Sequence, residues 1–111
     1  MKNTQATLTD SLKQELRRGA VVLAALSQLD TEQYGYSLKR RLGDRGLNID
    51  EGTLYPLLRR LESQGLLKSD WRVEDGRPRR YYRLSTLGQK TMEDLFAEWE
   101  GLVKTMEGLM K

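Results

Sequence analysis

The last quarter of the chain constrains it most. Met92, Leu95, Phe96, Trp99, Leu102, Val103, Met106, Leu109 and Met110 fall into three seven-residue series, 92/99/106, 95/102/109 and 96/103/110. This spacing predicts a helix over 86–110 with one broad apolar stripe, leaving Glu93, Asp94, Glu98, Glu100, Lys104 and Glu107 outside it. A chain of 111 residues has a modest core, and its other segments have apolar faces of their own to cover. Nine large side chains left in water would forgo on the order of 1.5–3 kcal/mol each. The expected solution is a two-fold mate, this helix packing on its copy and on the first helix of the partner, where Leu16 lies. The alternative is that the helix folds back on its own hairpin.

Upstream, the period changes from helix to strand. Residues 1–10 read as a polar arm. Ser11 and Gln14 have capping-box spacing, and Leu16, Ala20, Leu23, Ala24 and Leu26 continue a helix over 11–28. A second helix spans 34–43, with Leu38 and Leu42 inward and Gly43-Asp44-Arg45-Gly46 as its stop. A third spans 51–64, with Asp50 as N-cap, Ile49 and Leu54 as a hydrophobic staple, and Leu54, Leu57 or Leu58, and Leu61 as its inner stripe. Pro56 breaks the propensity rule inside this helix, and such breaks concentrate at functional positions. Residues 66–74 and 79–84 alternate as strands, with Leu67, Trp71 and Val73 sharing one face and Glu74–Pro78 as the turn. Ser85 caps the final helix. The fold class is mainly α: a winged helix-turn-helix in the order α-α-α-β-β over 11–85, then a dimerisation helix over 86–111.

Composition removes most chemistry. The chain has no Cys and no His, so thiolate nucleophiles, imidazole acid-base catalysis and Cys/His zinc sites are excluded. No inward pair of carboxylates, phosphate-cradling glycine loop or metal-ligand spacing replaces them, so neither an enzyme nor a cofactor is expected. Absent disulfides fit a reducing cytoplasm. The longest apolar run, Ala20–Leu26, is too short to span a bilayer, and the first twelve residues lack the apolar segment of a signal peptide. The acidic polar face of the last helix disfavours a membrane surface.

Charge is unevenly placed. Residues 1–38 sum to 0, 39–92 to +6 and 93–111 to −3. The basic middle holds Lys39-Arg40-Arg41 and Arg77-Pro78-Arg79-Arg80-Tyr81-Tyr82-Arg83, which suggests a polyanion-facing surface distinct from the acidic end. In a winged helix-turn-helix the third helix enters the major groove. Its inner leucines leave Thr53, Tyr55, Pro56, Arg59 and Ser63 outward, where Thr53 and Tyr55 can donate to phosphates or base edges and Arg59 can fork onto a guanine or clamp a phosphate. Ser37, Lys39 and Arg40 on the second helix and Arg77, Arg79 and Arg80 on the hairpin complete the expected contact set. Each cluster also has a plainer reading, as a solvated helix face or as charges that protect a sheet edge. The alternative function is a dimeric helical interaction module whose basic face binds an acidic partner.

Three motifs in order then carry a resemblance. Gly52-Thr53-Leu54-Tyr55-Pro56-Leu57-Leu58-Arg59-Arg60-Leu61-Glu62 with Gly65-Leu66-Leu67, Gly76-Arg77-Pro78-Arg79-Arg80-Tyr81-Tyr82-Arg83-Leu84-Ser85 with Gly88, and Tyr34-Gly35-Tyr36-Ser37-Leu38 resemble the recognition helix, wing and second-helix start of the PadR family of bacterial transcriptional regulators. Tyr34 departs from the family pattern, in which His is common. The short C-terminal helix is similar to that of the compact subfamily. The resemblance implies a nucleoid-associated, ligand-responsive homodimer, usually a repressor of nearby detoxification, efflux or stress genes, acting on palindromic double-stranded DNA. It also implies an effector role for Trp99, with Phe96 beside it, because in some relatives a tryptophan at the matching place lines a cavity between subunits that accepts flat aromatic compounds. The plainer reading of Trp99 is dimer core.

Overall fold

The computed structural model describes residues 4–111. The elements run α1 (Thr4–Ser27), β1 (Gln33–Tyr34), α2 (Gly35–Asp44), α3 (Glu51–Ser63), β2 (Leu67–Glu74), β3 (Arg77–Leu84) and α4 (Thr86–Leu109). The expected winged helix-turn-helix with a C-terminal helix is present, and three details differ from the sequence reading. First, α1 starts at Thr4, not near Ser11, so residues 4–10 are helix and not a separate arm; residues 1–3 of that arm lie outside the described residues. Leu8, Leu12 and Leu16, four apart and all exposed, continue the helical series past the capping box at Ser11. Second, Gln33 and Tyr34 form a short strand paired antiparallel with Tyr82 and Tyr81, too short to show any alternation in sequence. Third, β3 begins at Arg77 rather than Arg79.

That third difference comes from the turn chemistry. Glu74 pairs with Arg77, so only Asp75 and Gly76 form the loop, with φ of 51° and 75°. An Asp-Gly pair with both residues at positive φ is the favoured two-residue hairpin turn, and its twist matches the flanking strands. Pro78 then lies within β3 opposite Val73. It is tolerated because β1 reaches only Tyr81 and Tyr82, so that side of β3 needs no donor at Pro78. The sheet order is β1-β3-β2.

The core lies between α1, α2, α3 and the root of the hairpin. Leu26, Leu29, Leu38, Leu54, Leu58 and Leu61 are fully buried, each worth on the order of 1.5–3 kcal/mol in area removed from water. Leu67 and Tyr82 join them from the sheet. The Leu84 N–H donates to the Leu29 carbonyl at 2.8 Å and fixes β3 against the end of α1. Pro56 sits inside a continuous α3. Pro56 and Gly52, whose carbonyl loses its helical donor there, are both exposed, so the missing bond falls on the wet side of the helix.

α4 begins on the turn that follows α3. Ser85 is its N-cap: its Oγ accepts the Gly88 N–H at 2.9 Å and donates to the Gly65 carbonyl at 2.6 Å. The Ser85 N–H bonds the Leu66 carbonyl at 3.0 Å. A Cβ on Gly88 would stand 1.9 Å from that same Leu66 oxygen, so the helix can sit this close only with glycine there. Met92 and Leu95 pack on the core of their own chain. Beyond them α4 leaves the hairpin and runs beside α1 rather than folding back over the wing. The radius of gyration is 16.3 Å, against about 13 Å for a compact chain of this length, and the extra reach is this pair of long helices.

Candidate nucleic-acid interface

α3 and the hairpin face each other across a cleft of about 640 Å³ lined by residues of both, with Tyr34, Gly35 and Tyr36 at the start of α2. Its cations are Arg59, Arg77, Arg79 and Arg80, and its aromatic walls are Tyr34, Tyr36, Tyr55, Trp71 and Tyr82. Arg59 and Arg77 are exposed and make no ion pair among the described residues. Their charge is therefore available to an anion. The Arg79 guanidinium lies 4.7 Å from the centre of the Tyr34 ring, an aromatic support that limits its freedom without neutralising it. Tyr34 is itself held edge-on to Tyr81 at 5.4 Å.

The remaining expected contacts divide. Pro56 and Arg40 are exposed. Lys39 is 4.0 Å from Glu51 on α3, a partly exposed pair that bridges the two helices. Thr53 is exposed, and its hydroxyl donates to Asp50 Oδ1 at 2.8 Å. Asp50 is the N-cap position of α3 but makes no side-chain bond to the helix N–H groups, so the expected cap has been diverted to Thr53. The Ser63 hydroxyl donates to its own helix, at the Arg60 carbonyl, 2.8 Å away.

Two of the expected contacts have other uses. Ser37 Oγ accepts the Tyr34 N–H at 3.1 Å, and its own hydrogen has the Gln33 side chain and the Tyr34 carbonyl, each 2.9 Å away, as acceptors. It closes the N-terminus of α2 instead of reaching outward, because a serine three residues into a helix can cap it. Arg80 is partly buried and pairs with Glu62 of α3 while its Nε donates to Ser69 Oγ at 2.9 Å. Alternation sets Arg80 on the face of Tyr82 and Arg79 on the opposite one, but the carboxylate that takes up Arg80 is on another element and leaves no mark in the local sequence.

Tyr55 is placed by its neighbour rather than by its own helix. Its ring lies on Gly35, where a Cβ would stand 2.5 Å from Cε1. Burial pushes its phenol above the ordinary tyrosine range, with the nearby Glu51 carboxylate adding to the shift. The sequence pattern does not mark Trp71 as a cleft residue. Its odd position groups it with Leu67, which is buried, yet Trp71 and Val73 are exposed because the hairpin projects beyond the end of the core.

The α4 stripe forms a second feature. With Leu16, Gly19, Ala20 and Leu23 of α1, it lines an apolar groove of about 720 Å³ that includes Leu95, Trp99, Leu102, Val103, Met106 and Met110. Phe96 and Leu109 are exposed but do not line it. No helix among the described residues is long and apolar enough to cross a membrane.

A helix presented beside a basic two-stranded wing, with a two-helix unit behind it, is the arrangement of the winged-helix transcription regulators. Residues 22–94 match the transcriptional regulator PadR-like family, and the chain belongs to that family, whose members are DNA-binding regulators and not enzymes. It is 40% identical over 95 residues to the transcriptional regulator Rv3488 of Mycobacterium tuberculosis, covering 85% of this chain and 89% of that one. The crystal structure of a PadR family transcriptional regulator from Eggerthella lenta is 42% identical, with a TM-score of 0.88 and 96% of each chain covered. A PadR-like transcription factor from Bacteroides fragilis is 32% identical, with a TM-score of 0.75 over 89% of this chain and 98% of that one.

Proposed function

We propose that this regulator is a homodimeric, effector-responsive repressor that binds a palindromic duplex, controls nearby detoxification, efflux or stress genes, and works in the cytoplasm at the nucleoid. The observation that carries the DNA-binding mode is the pair of uncommitted arginines, Arg59 on α3 and Arg77 at the wing tip, facing one cleft. Arg59, Thr53, Tyr55 and Pro56 read the major groove, Lys39 and Arg40 approach the backbone, and Arg77 and Arg79 grip phosphates beside it.

Support for the dimer is the unspent apolar surface. Phe96, Leu102 and Met106 are each about half exposed, and Leu109 and Met110 more so. α4 and α1 of a second copy cover that surface and set two recognition helices about 34 Å apart, one turn of duplex. Trp99 in the groove is the aromatic slab for a planar effector, and Met106 beside it adapts to the ligand's shape. A ligand that prefers one opening of the dimer shifts the spacing of the two α3 helices.

The test is selection of a duplex from a randomised library, followed by fluorescence anisotropy at two salt concentrations. The expected result is a preferred palindrome and a salt slope of about −0.9 for each phosphate neutralised. A shallow slope with no sequence preference would overturn the reading in favour of an acidic protein partner.

A further inference from the structure

We infer that Arg80 is a positioning residue for DNA recognition: with Ser69 and Glu62 it braces the wing against α3 and sets how far the wing-tip cations stand from Arg59. The inference rests on the DNA-binding reading above. Three side chains close a triangle there. Arg80 of β3 donates through Nε to Ser69 Oγ of β2 and through Nη2 to Glu62 of α3, and Ser69 Oγ donates to the other carboxylate oxygen of Glu62. Arg80 and Glu62 keep only 33% and 25% of their side-chain exposure, so the pair is shielded more than an ordinary surface bridge. The guanidinium also lies 5.5 Å from the Tyr82 ring centre and 5.7 Å from that of Trp71.

The location gives the triangle its effect. Tyr82 is buried in the core, and Trp71, opposite Arg80 in the ladder, is exposed. Arg80 therefore stands where the hairpin leaves the body. Farther out, Arg79 still rests on the Tyr34 ring, and Arg72 opposite it pairs with Glu32, but that pair is more exposed than Arg80 and Glu62. Arg77 at the tip is carried by the ladder alone among the described residues, so a small tilt at the root becomes a larger displacement there. Glu62 is on the same helix as Arg59, so the triangle links the two cationic elements directly. A planar guanidinium with forked donors can hold both partners and stack at once, which an ammonium cannot.

The measurement uses the full chain and the duplex it selects, with an unrelated duplex as control, across a salt series. The variants are Arg80→Gln, Glu62→Gln, the double change and Arg80→Lys. The expected result is a loss of about tenfold in selected-duplex affinity for Arg80→Gln and for Glu62→Gln, no further loss in the double variant, and an unchanged salt slope, as for two groups acting as one unit. Arg80→Lys does not restore binding, and affinity for the unrelated duplex stays near the wild-type value. A fold-wide defect would instead lower both duplexes together and shift the thermal midpoint. The isosteric Glu62→Gln keeps the test decisive if Arg80→Gln fails to fold.

If Arg80 contacts phosphate, the signs reverse. Arg80→Gln then flattens the salt slope by about one, Glu62→Gln tightens binding by removing a competing anion, and Arg80→Lys works. Any of these three overturns the brace while leaving the DNA-binding reading intact. A wild-type chain that selects no duplex overturns both.

Discussion

Gly88→Ala perturbs the contact that aims α4. An alanine Cβ there would lie 1.9 Å from the Leu66 carbonyl oxygen, inside the 3.0 Å below which such contacts essentially do not occur. That oxygen cannot withdraw freely, because it accepts the Ser85 N–H at 3.0 Å, and the Leu66 N–H is bonded to the Leu61 carbonyl at 3.0 Å. The helix must move instead. Overpacking of this kind costs about 1–3 kcal/mol. Loosening the Ser85–Leu66 bond and the Ser85 cap adds about 1 kcal/mol each. The gain in helix propensity returns about 1 kcal/mol. The net expectation is a loss of about 2–4 kcal/mol. Urea unfolding at one fixed protomer concentration measures it, since association would make stability concentration-dependent. With a urea slope of about 1–3 kcal/mol per molar, the midpoint should fall by about 0.7 M or more. An unchanged or higher midpoint would refute the claim that this contact fixes the start of α4.

Arg59→Ala should weaken selected-duplex binding by about 1–3 kcal/mol and relax one base position, whereas Arg79→Ala should weaken all duplexes alike and flatten the salt slope by about one; anisotropy on matched and mismatched duplexes separates the two. On the proposed dimer, the wild type should scatter light at twice the 12.8 kDa chain mass, and Leu102→Glu, which puts a charge into the exposed stripe, should leave a 12.8 kDa particle; a wild type that scatters as a single chain would refute it. Saturating planar aromatics should quench tryptophan fluorescence in the wild type and much less in Trp99→Phe; equal quenching would leave Trp71 as the reporter. Burial raises the Tyr82 phenol above its ordinary value, so the neutral form is the one the fold favours. Its contribution is fully present below the unfolded pKa of about 10 and is lost as pH rises through the raised value. Urea midpoints measured from pH 9 upward should therefore fall more steeply in the wild type than in Tyr82→Phe.

The hydrophobic periods made the architecture legible. The leucines of α2 and α3 occupy the faces that their spacing assigns, whereas the α4 stripe divides: Met92 and Leu95 pack on the core of their own chain, and Phe96 and Leu109 lie outside the groove. What stayed hidden were relations between residues far apart in sequence. Strand alternation puts Arg80 on the face of Tyr82 and Leu84 and Arg79 on the other, but no local pattern shows its partner Glu62, eighteen positions away on another element. Ser37 has the composition of a contact residue and the spacing of a cap, and the cap prevailed once Tyr34 ended β1. Trp71 follows the inward alternation of Leu67, but the core ends before it. The start of α1 is hidden for the opposite reason: a polar composition masks the four-residue spacing of Leu8, Leu12 and Leu16.

The contact between Gly35 and Tyr55 bears on attempts to retarget the protein. Because the phenol ring occupies the space a side chain at 35 would need, the two positions form one packing unit shared by two helices, and on the proposed reading of Tyr55 they would vary together in specificity. Transplanting another α3 sequence into this scaffold succeeds only if whatever replaces Tyr55 still fills the hollow above Gly35, or if residue 35 is enlarged to match. A library randomised at 35 and 55 together should contain working readers that no library varying either position alone can reach.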